Sequence, residues 1–161
     1  MTIRLIKKED NAQVAQIIRT VMTEYGASGE GFSIHDSEVD TMFENYQTRA
    51  SYYVVEDNVD NKNKILGGCG IAQLIGAEQT ICELKKMYFL KEIRSKGLGQ
   101  KLFDLCIKDA KKYGFEKCYL ETLTSMKEAE KFYLRNGFSK LEKAMGNTGH
   151  YKCNKFYIKD L

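Results

Sequence analysis

Three stretches with strand character follow one another with no helical segment between them: Ser51–Glu56, Ile65–Leu74 and Thr80–Leu90. The polar run Asp57–Lys64 reads as a turn or hairpin loop, and Gly76–Gln79 joins the second pair. Three successive strands form a meander, which strict strand–helix alternation does not produce. Helical patterns enclose it. Thr2–Lys7 alternates as a strand, and Val14, Ile17, Ile18, Val21 and Met22 recur at helical spacing down to Tyr25. Asp36 is positioned to cap a second helix carrying Val39, Met42, Phe43 and Tyr46. Gly97–Tyr113 reads as a helix ended by Gly114, Lys117–Leu123 as a strand, and Ser125–Asn136 as a helix opened by the capping-box pair Ser125 and Glu128 and ended by Gly137. Phe138–Lys143 and Tyr151–Lys159 supply the last strands. The predicted order is β-α-α-β-β-β-α-β-α-β-β: an α/β (α+β) fold with a mixed central sheet of about seven strands flanked by about four helices, spanning residues 1–161 as a single domain.

With no proline, glycine, Asn and Asp must mark the turns. A hydrophobic content of 43% supports one continuous core. The net charge of +3 is too small, and the basic residues too dispersed, for a general nucleic-acid binder. Cys69, Cys82, Cys106, Cys118 and Cys153 are odd in number and lack metal-ligand spacing. They read as reduced core thiols, with no metal site, in a reducing compartment. Met1–Asp10 has no apolar region of signal-peptide length, and no apolar run reaches membrane-spanning length. A cytoplasmic location and no membrane partner are expected.

The stretch Glu83–Leu102 carries the chemistry. A strand ends near Leu90, a basic loop follows, and a helix opens at Gly97. Glycines on both sides of Leu98 leave the first helical turn unobstructed, so its free N–H groups and positive dipole end suit phosphate oxygens. Arg94 and Lys96 add positive charge there. Neither a Walker A loop nor a dinucleotide fingerprint is present: the first needs G-x-x-x-x-G-K-[ST], the second a third glycine. What stands is Arg94-x-x-Gly97-x-Gly99. One strand later comes Ala129-x-x-Phe132-Tyr133-x-x-x-Gly137-Phe138. Phe132 reads as a core residue, whereas a buried Tyr133 phenol needs a partner, which leaves a functional role open.

In order and separation these two motifs resemble the GNAT superfamily of N-acetyltransferases, and the element order matches over nearly the whole chain. The resemblance implies an N-acetyltransferase that uses acetyl-CoA as co-substrate. It implies that backbone amides of Lys96, Gly97, Leu98, Gly99 and Gln100, with Arg94, hold the pyrophosphate. The fourth and fifth strands would part to admit the pantetheine arm against backbone groups of Met87 and Phe89. The Met87 amide would stabilise the oxyanion of a tetrahedral intermediate. Tyr133 matches the general acid, being protonated at neutral pH. Two residues compete as general base: Glu83 on the fourth strand, otherwise a surface or paired carboxylate, and His150, otherwise an exposed loop histidine. Where the family often carries Asn this chain has Met126, so Thr122, Thr124 or Ser125 would have to supply the polar contact.

Acceptor recognition falls to the irregular Tyr25–His35 and Gly146–His150 segments, with Phe32 and His35 as candidate contacts. The acceptor expected is a primary amine of a small molecule: an amino acid, a polyamine or a related metabolite. Acetylation of protein N-termini or lysines, and a non-catalytic acyl-CoA-binding module, are the alternatives. Homodimers are common in the family, and nothing in the sequence demands one.

Overall fold

The computed structural model describes residues 1–59 and 62–161. Seven strands form one mixed sheet: β1 (Thr2–Leu5), β2 (Ser51–Val59), β3 (Lys62–Gln73), β4 (Ile81–Phe89), β5 (Lys117–Thr122), β6 (Ser139–Leu141) and β7 (Lys155–Asp160), in the spatial order β1-β2-β3-β4-β5-β7-β6. All neighbours run antiparallel except β4 and β5. Four helices accompany the sheet: α1 (Asn11–Glu24), α2 (Met42–Asn45), α3 (Leu98–Lys112) and α4 (Lys127–Arg135). The expected element order is therefore the observed one.

Two apolar layers hold the sheet. On one face Val14, Ile17, Ile18, Val21 and Met22 of α1 pack with Met42, Tyr46, Tyr52 and Val54. On the other, Leu102, Phe103, Cys106 and Ala110 of α3 pack with Val55, Cys69, Ile71, Leu84, Leu120 and Phe138. All five cysteines are free thiols, four of them buried.

Four local expectations need correction, the first being that Tyr151–Asn154, expected as the start of the last strand, is a turn and β7 begins at Lys155. The polar run after Glu56 is mostly strand: β2 and β3 pair out to Asp57–Lys64 and Asn58–Asn63, and the tip, residues 60–61, lies outside the described residues. The second helix is short, because Ser37–Thr41 winds as a 3-10 helix, and Asp36 makes no side-chain cap. Its carboxylate is drawn instead to Lys86 and His150. The Ser125–Glu128 capping box does not form: α4 starts at Lys127 behind Met126 with no side-chain cap, and the preceding Thr124 N–H donates to Asn154 Oδ1 at 3.0 Å.

Strand β4 carries a bulge. Gly68 lies opposite Tyr88 and Gly70 opposite Lys85, so one extra residue is inserted. Lys86 has φ +52°. A one-residue insertion reverses which face alternate side chains take. Accordingly Cys82 and Leu84, and then Met87 and Phe89, all face α3.

Candidate active site

β4 and β5 pair only over Ile81–Lys117, Cys82–Cys118 and Glu83–Tyr119, then part. Past Glu83, β4 has no strand partner on that side among the described residues. Beyond the parting, between the free half of β4 and α4, opens a cleft of about 590 Å³, lined by Met87, Phe89, Arg94, Gly97, Gly99, Gln100, Ala129 and Tyr133, among others. Gly97 precedes α3 at φ +75°, a left-handed conformation that suits glycine, and a Cβ built on it would meet nothing within 4 Å. Gly99 sits against the Met87 and Phe89 side chains. The first turn of α3 therefore presents backbone rather than side chains to the cleft.

The remaining residues assigned to this region differ in what they touch. Lys96 is exposed, and Leu98 packs on the core beneath α3. Gln100 Nε2 donates to Asp104 Oδ1 and Asn136 Oδ1, both at 2.8 Å. Arg94 lines the cleft, but its guanidinium is already engaged. Nε donates to the Phe89 carbonyl at 2.8 Å, and the two terminal nitrogens bind Glu24 at 2.7 and 2.9 Å. Arg94 thereby ties the loop before α3 to the end of α1, and Glu24 sits below the usual carboxylate range because of that pairing.

Tyr133 stands where this cleft meets a second, smaller one. It is 7% exposed, packed edge-on to Phe132 and Phe138, and its hydroxyl has no hydrogen-bond partner among the described residues. Burial pushes the phenol well above its ordinary range, so it is protonated at neutral pH. The smaller cavity, about 70 Å³, is lined by Glu83, Lys86, Tyr88, Glu121, His150 and Cys153 along with Tyr133 and Met87. Glu83 is only 6% exposed and its carboxyl makes no hydrogen bond among the described residues. Burial raises its pKa, against the opposing pull of Lys85, His150 and Lys86.

His150 is not the exposed loop histidine of the sequence reading, since its side chain is 8% exposed. Nε2 lies 2.8 Å from Asp36 Oδ2, and Nδ1 lies 3.7 Å from Glu121 Oε2. Lys86 is buried between Asp36 and Glu38, and Lys85 binds Glu38 at 2.9 Å. The two irregular segments meet here: the Tyr151 ring rests on Gly31, and the Lys152 N–H donates to the Gly31 carbonyl at 3.3 Å. Phe32 is half-buried under the Lys152 ammonium, while His35 stays exposed with Nε2 2.9 Å from the Ser28 carbonyl. Neither is among the residues lining the clefts. Thr122 and Thr124 are engaged by Met126 and Asn154, and Met126 itself lines both clefts.

Sequence reasoning missed Asp36, Glu38, Lys86, Glu121 and Cys153. Lys86 and Glu121 lie on strands that the sequence shows, but Asp36 and Glu38 lie at the start of the 3-10 stretch expected as a helix and Cys153 in a turn expected as a strand, and only the bulge and the docking of the Tyr151 segment gather them.

A sheet parted in its middle, with a glycine-opened helix at one end of the gap and Tyr133 and Glu83 lining the cavity at the other, fits an acyltransferase of the GNAT type. A model of the acetyltransferase (GNAT) family matches residues 15–138, and the chain belongs to that family of acyl-CoA-dependent N-acetyltransferases. It is 40% identical over 160 residues to the uncharacterized N-acetyltransferase YjgM of Escherichia coli (strain K12), covering 98% of this chain and 93% of that protein. The fold is shared with a GNAT-family acetyltransferase from Staphylococcus aureus Mu50, with a TM-score of 0.82 at 21% identity over 99% of this chain and 98% of that one. It is also shared with the PaiA N-acetyltransferase from Thermoplasma acidophilum solved with coenzyme A, with a TM-score of 0.67 at 17% identity over the whole of both chains.

Proposed function

We propose that this chain transfers the acetyl group of acetyl-CoA to a primary amine of a small molecule by direct attack, with Tyr133 as general acid and Glu83 as general base. One observation carries the reading: Tyr133 stands at the junction of the long cleft that runs to Gly97 and the small cavity that holds Glu83.

The long cleft fits the co-substrate. At its far end the free N–H groups of the α3 first turn suit a pyrophosphate, and Gly97 leaves room for it. Along its length the unpaired edge of β4 offers main-chain groups to an amide-bearing arm. The Met87 N–H, just past the bulge, would donate to the acetyl carbonyl oxygen where charge develops. Arg94 is better described as a brace for the loop, because any phosphate must compete with Glu24 for it.

Glu83 takes a proton from the acceptor ammonium, directly or through water, and Tyr133 gives one to the departing thiolate. A raised Glu83 pKa improves its match to an amine, provided the carboxyl is ionised at working pH. His150, held by Asp36 on one side and facing Glu121 on the other, lines the same cavity; the base is assigned to Glu83 because its buried carboxyl makes no hydrogen bond among the described residues.

The cavity also bears on the acceptor. Its small volume favours a small molecule over a peptide. Both nearby lysines are already paired with Asp36 and Glu38, so among the described residues no free cation lines the cavity for an acceptor carboxylate. Among small amines this favours a cationic polyamine over an amino acid. The test is an amine panel read by free-thiol release, alongside thermal shift with acetyl-CoA. Stabilisation by acetyl-CoA and thiol release with a polyamine are expected. Absence of any acetyl-CoA shift would overturn the enzyme reading, and turnover restricted to amino acids would overturn the acceptor class.

A further inference from the structure

Glu121 of β5, with His150 and Cys153 of the segment before β7, places one candidate ligand atom each within 4.8 Å of the others. His150 and Cys153 belong to one turn, closed by the Cys153 N–H donating to the His150 carbonyl at 2.9 Å. The orientation of each group is fixed from behind. Asp36, also held by Lys86, faces His150 Nε2 at 2.8 Å. A carboxylate only accepts, so Nε2 carries the proton and donates it to Asp36. Nδ1 is then left towards Glu121 Oε2 at 3.7 Å, too far for a hydrogen bond. Glu121 is steadied by the Tyr119 hydroxyl at 2.8 Å and the Thr148 hydroxyl at 3.1 Å, and the His150 N–H donates to Thr148 Oγ1 at 3.2 Å. Carboxylate-backed histidine with a hydrogen-bonded ligating carboxylate is the usual outer shell of a metal site. Beyond the three atoms lies the small cavity, where the buried Glu83 carboxyl has no partner among the described residues.

We propose that Glu121 Oε2, His150 Nδ1 and Cys153 Sγ bind one divalent cation of the zinc class, its fourth position open to the acceptor cavity. One nitrogen, one sulfur and one oxygen donor suit zinc rather than magnesium or calcium. Three protein ligands with an open position leave room for water or an incoming group. A cation here occupies the space proposed for the acceptor ammonium, so it competes with the amine; that consequence rests on the proposed acceptor site, whereas binding itself does not.

The full chain, stripped with chelator, is titrated with Co²⁺ and then with Zn²⁺. Expected are one Co²⁺ per chain, a thiolate-to-cobalt charge-transfer band, and its loss as Zn²⁺ displaces cobalt. The band should vanish in Cys153→Ser, which keeps the other four thiols, and affinity should fall at least about tenfold in His150→Gln. Acetyl-CoA-induced thermal stabilisation reports that each variant is folded. Absence of the band, or a band unchanged in Cys153→Ser, overturns the site. In turnover assays Zn²⁺ should raise the apparent KM for the amine and leave that for acetyl-CoA unchanged; inhibition competitive with acetyl-CoA overturns the placement. A cobalt signal in a chain inert towards every amine supports the metal site while the transferase reading fails, so the two are separable.

Discussion

The Tyr52 hydroxyl donates to the Lys86 carbonyl at 3.0 Å, reaching across the whole width of β3. It can do so because Gly68 and Gly70 lie beneath the ring, where a Cβ would come within 2.5 Å of it. The bond holds the bulge that brings Lys86 to Asp36. Tyr52→Phe strands a buried carbonyl, at a cost of about 1–3 kcal/mol. Tm should drop by roughly 2–4 °C for each kcal/mol in a chain of this size. The neighbouring Tyr46, whose buried hydroxyl has no partner among the described residues, is the control: Tyr46→Phe should leave Tm unchanged or raise it.

Removing the Tyr133 hydroxyl tests the acid. Tyr133→Phe should lower kcat by roughly 10²–10⁴ and leave the acetyl-CoA dissociation constant nearly unaltered, as seen by calorimetry. No stability is lost, because no hydrogen bond of that hydroxyl is broken among the described residues. Full turnover in the variant would exclude Tyr133 as the proton donor.

Glu83 makes opposite demands on activity and stability. Its pKa is raised in the folded chain, so the folded state holds the proton more tightly than the unfolded state does. The resulting stabilisation is complete below the ordinary glutamate value of about 4.3, and is lost as pH rises through the folded pKa. A general base at Glu83, however, would work only above that folded pKa. In Glu83→Gln, turnover should fall roughly 10²–10⁴, the acidic limb of the kcat profile should disappear, and Tm at pH 7 should be equal or higher. An unchanged acidic limb would assign that ionisation elsewhere.

The two loop glycines should separate by stability. Gly97→Ala forces a side chain into the left-handed region and costs about 1–2 kcal/mol. Gly99 lies inside α3, where Ala is preferred by roughly 0.5–1 kcal/mol and its Cβ makes ordinary contact with Met87 and Phe89. Chemical denaturation should thus move in opposite directions, while both variants raise the KM for acetyl-CoA. A Gly97→Ala chain with unaltered KM would argue against phosphate at this turn.

Much of the fold was legible because periodicity survives in single elements: α1, α3 and the β2-β3-β4 meander each carry their own apolar pattern. The glycine turn and Tyr133 stand out as local motifs, and both line the long cleft. Asp36 and Ser125 looked like helix caps, and local propensity was overridden at both. The Asp36 carboxylate meets Lys86, 50 residues on, and the turn before α4 is held by Asn154, 30 residues on. The bulge at Lys86 has no local signature, since a lysine at positive φ is imposed by its neighbours. Without it, Lys85 and Lys86 would point to opposite faces, and the paired charges around the small cavity could not be foreseen. Cys153 read as a core thiol because Glu121 approaches it only in three dimensions.

The brief pairing of β4 with β5 makes the sheet two panels joined at Ile81–Glu83. A strand-like guest completing the gap would couple those panels mechanically. The resistance of this chain to unfolding should then track the supply of acyl donor, so that a cell starved of it holds a looser and more readily degraded protein.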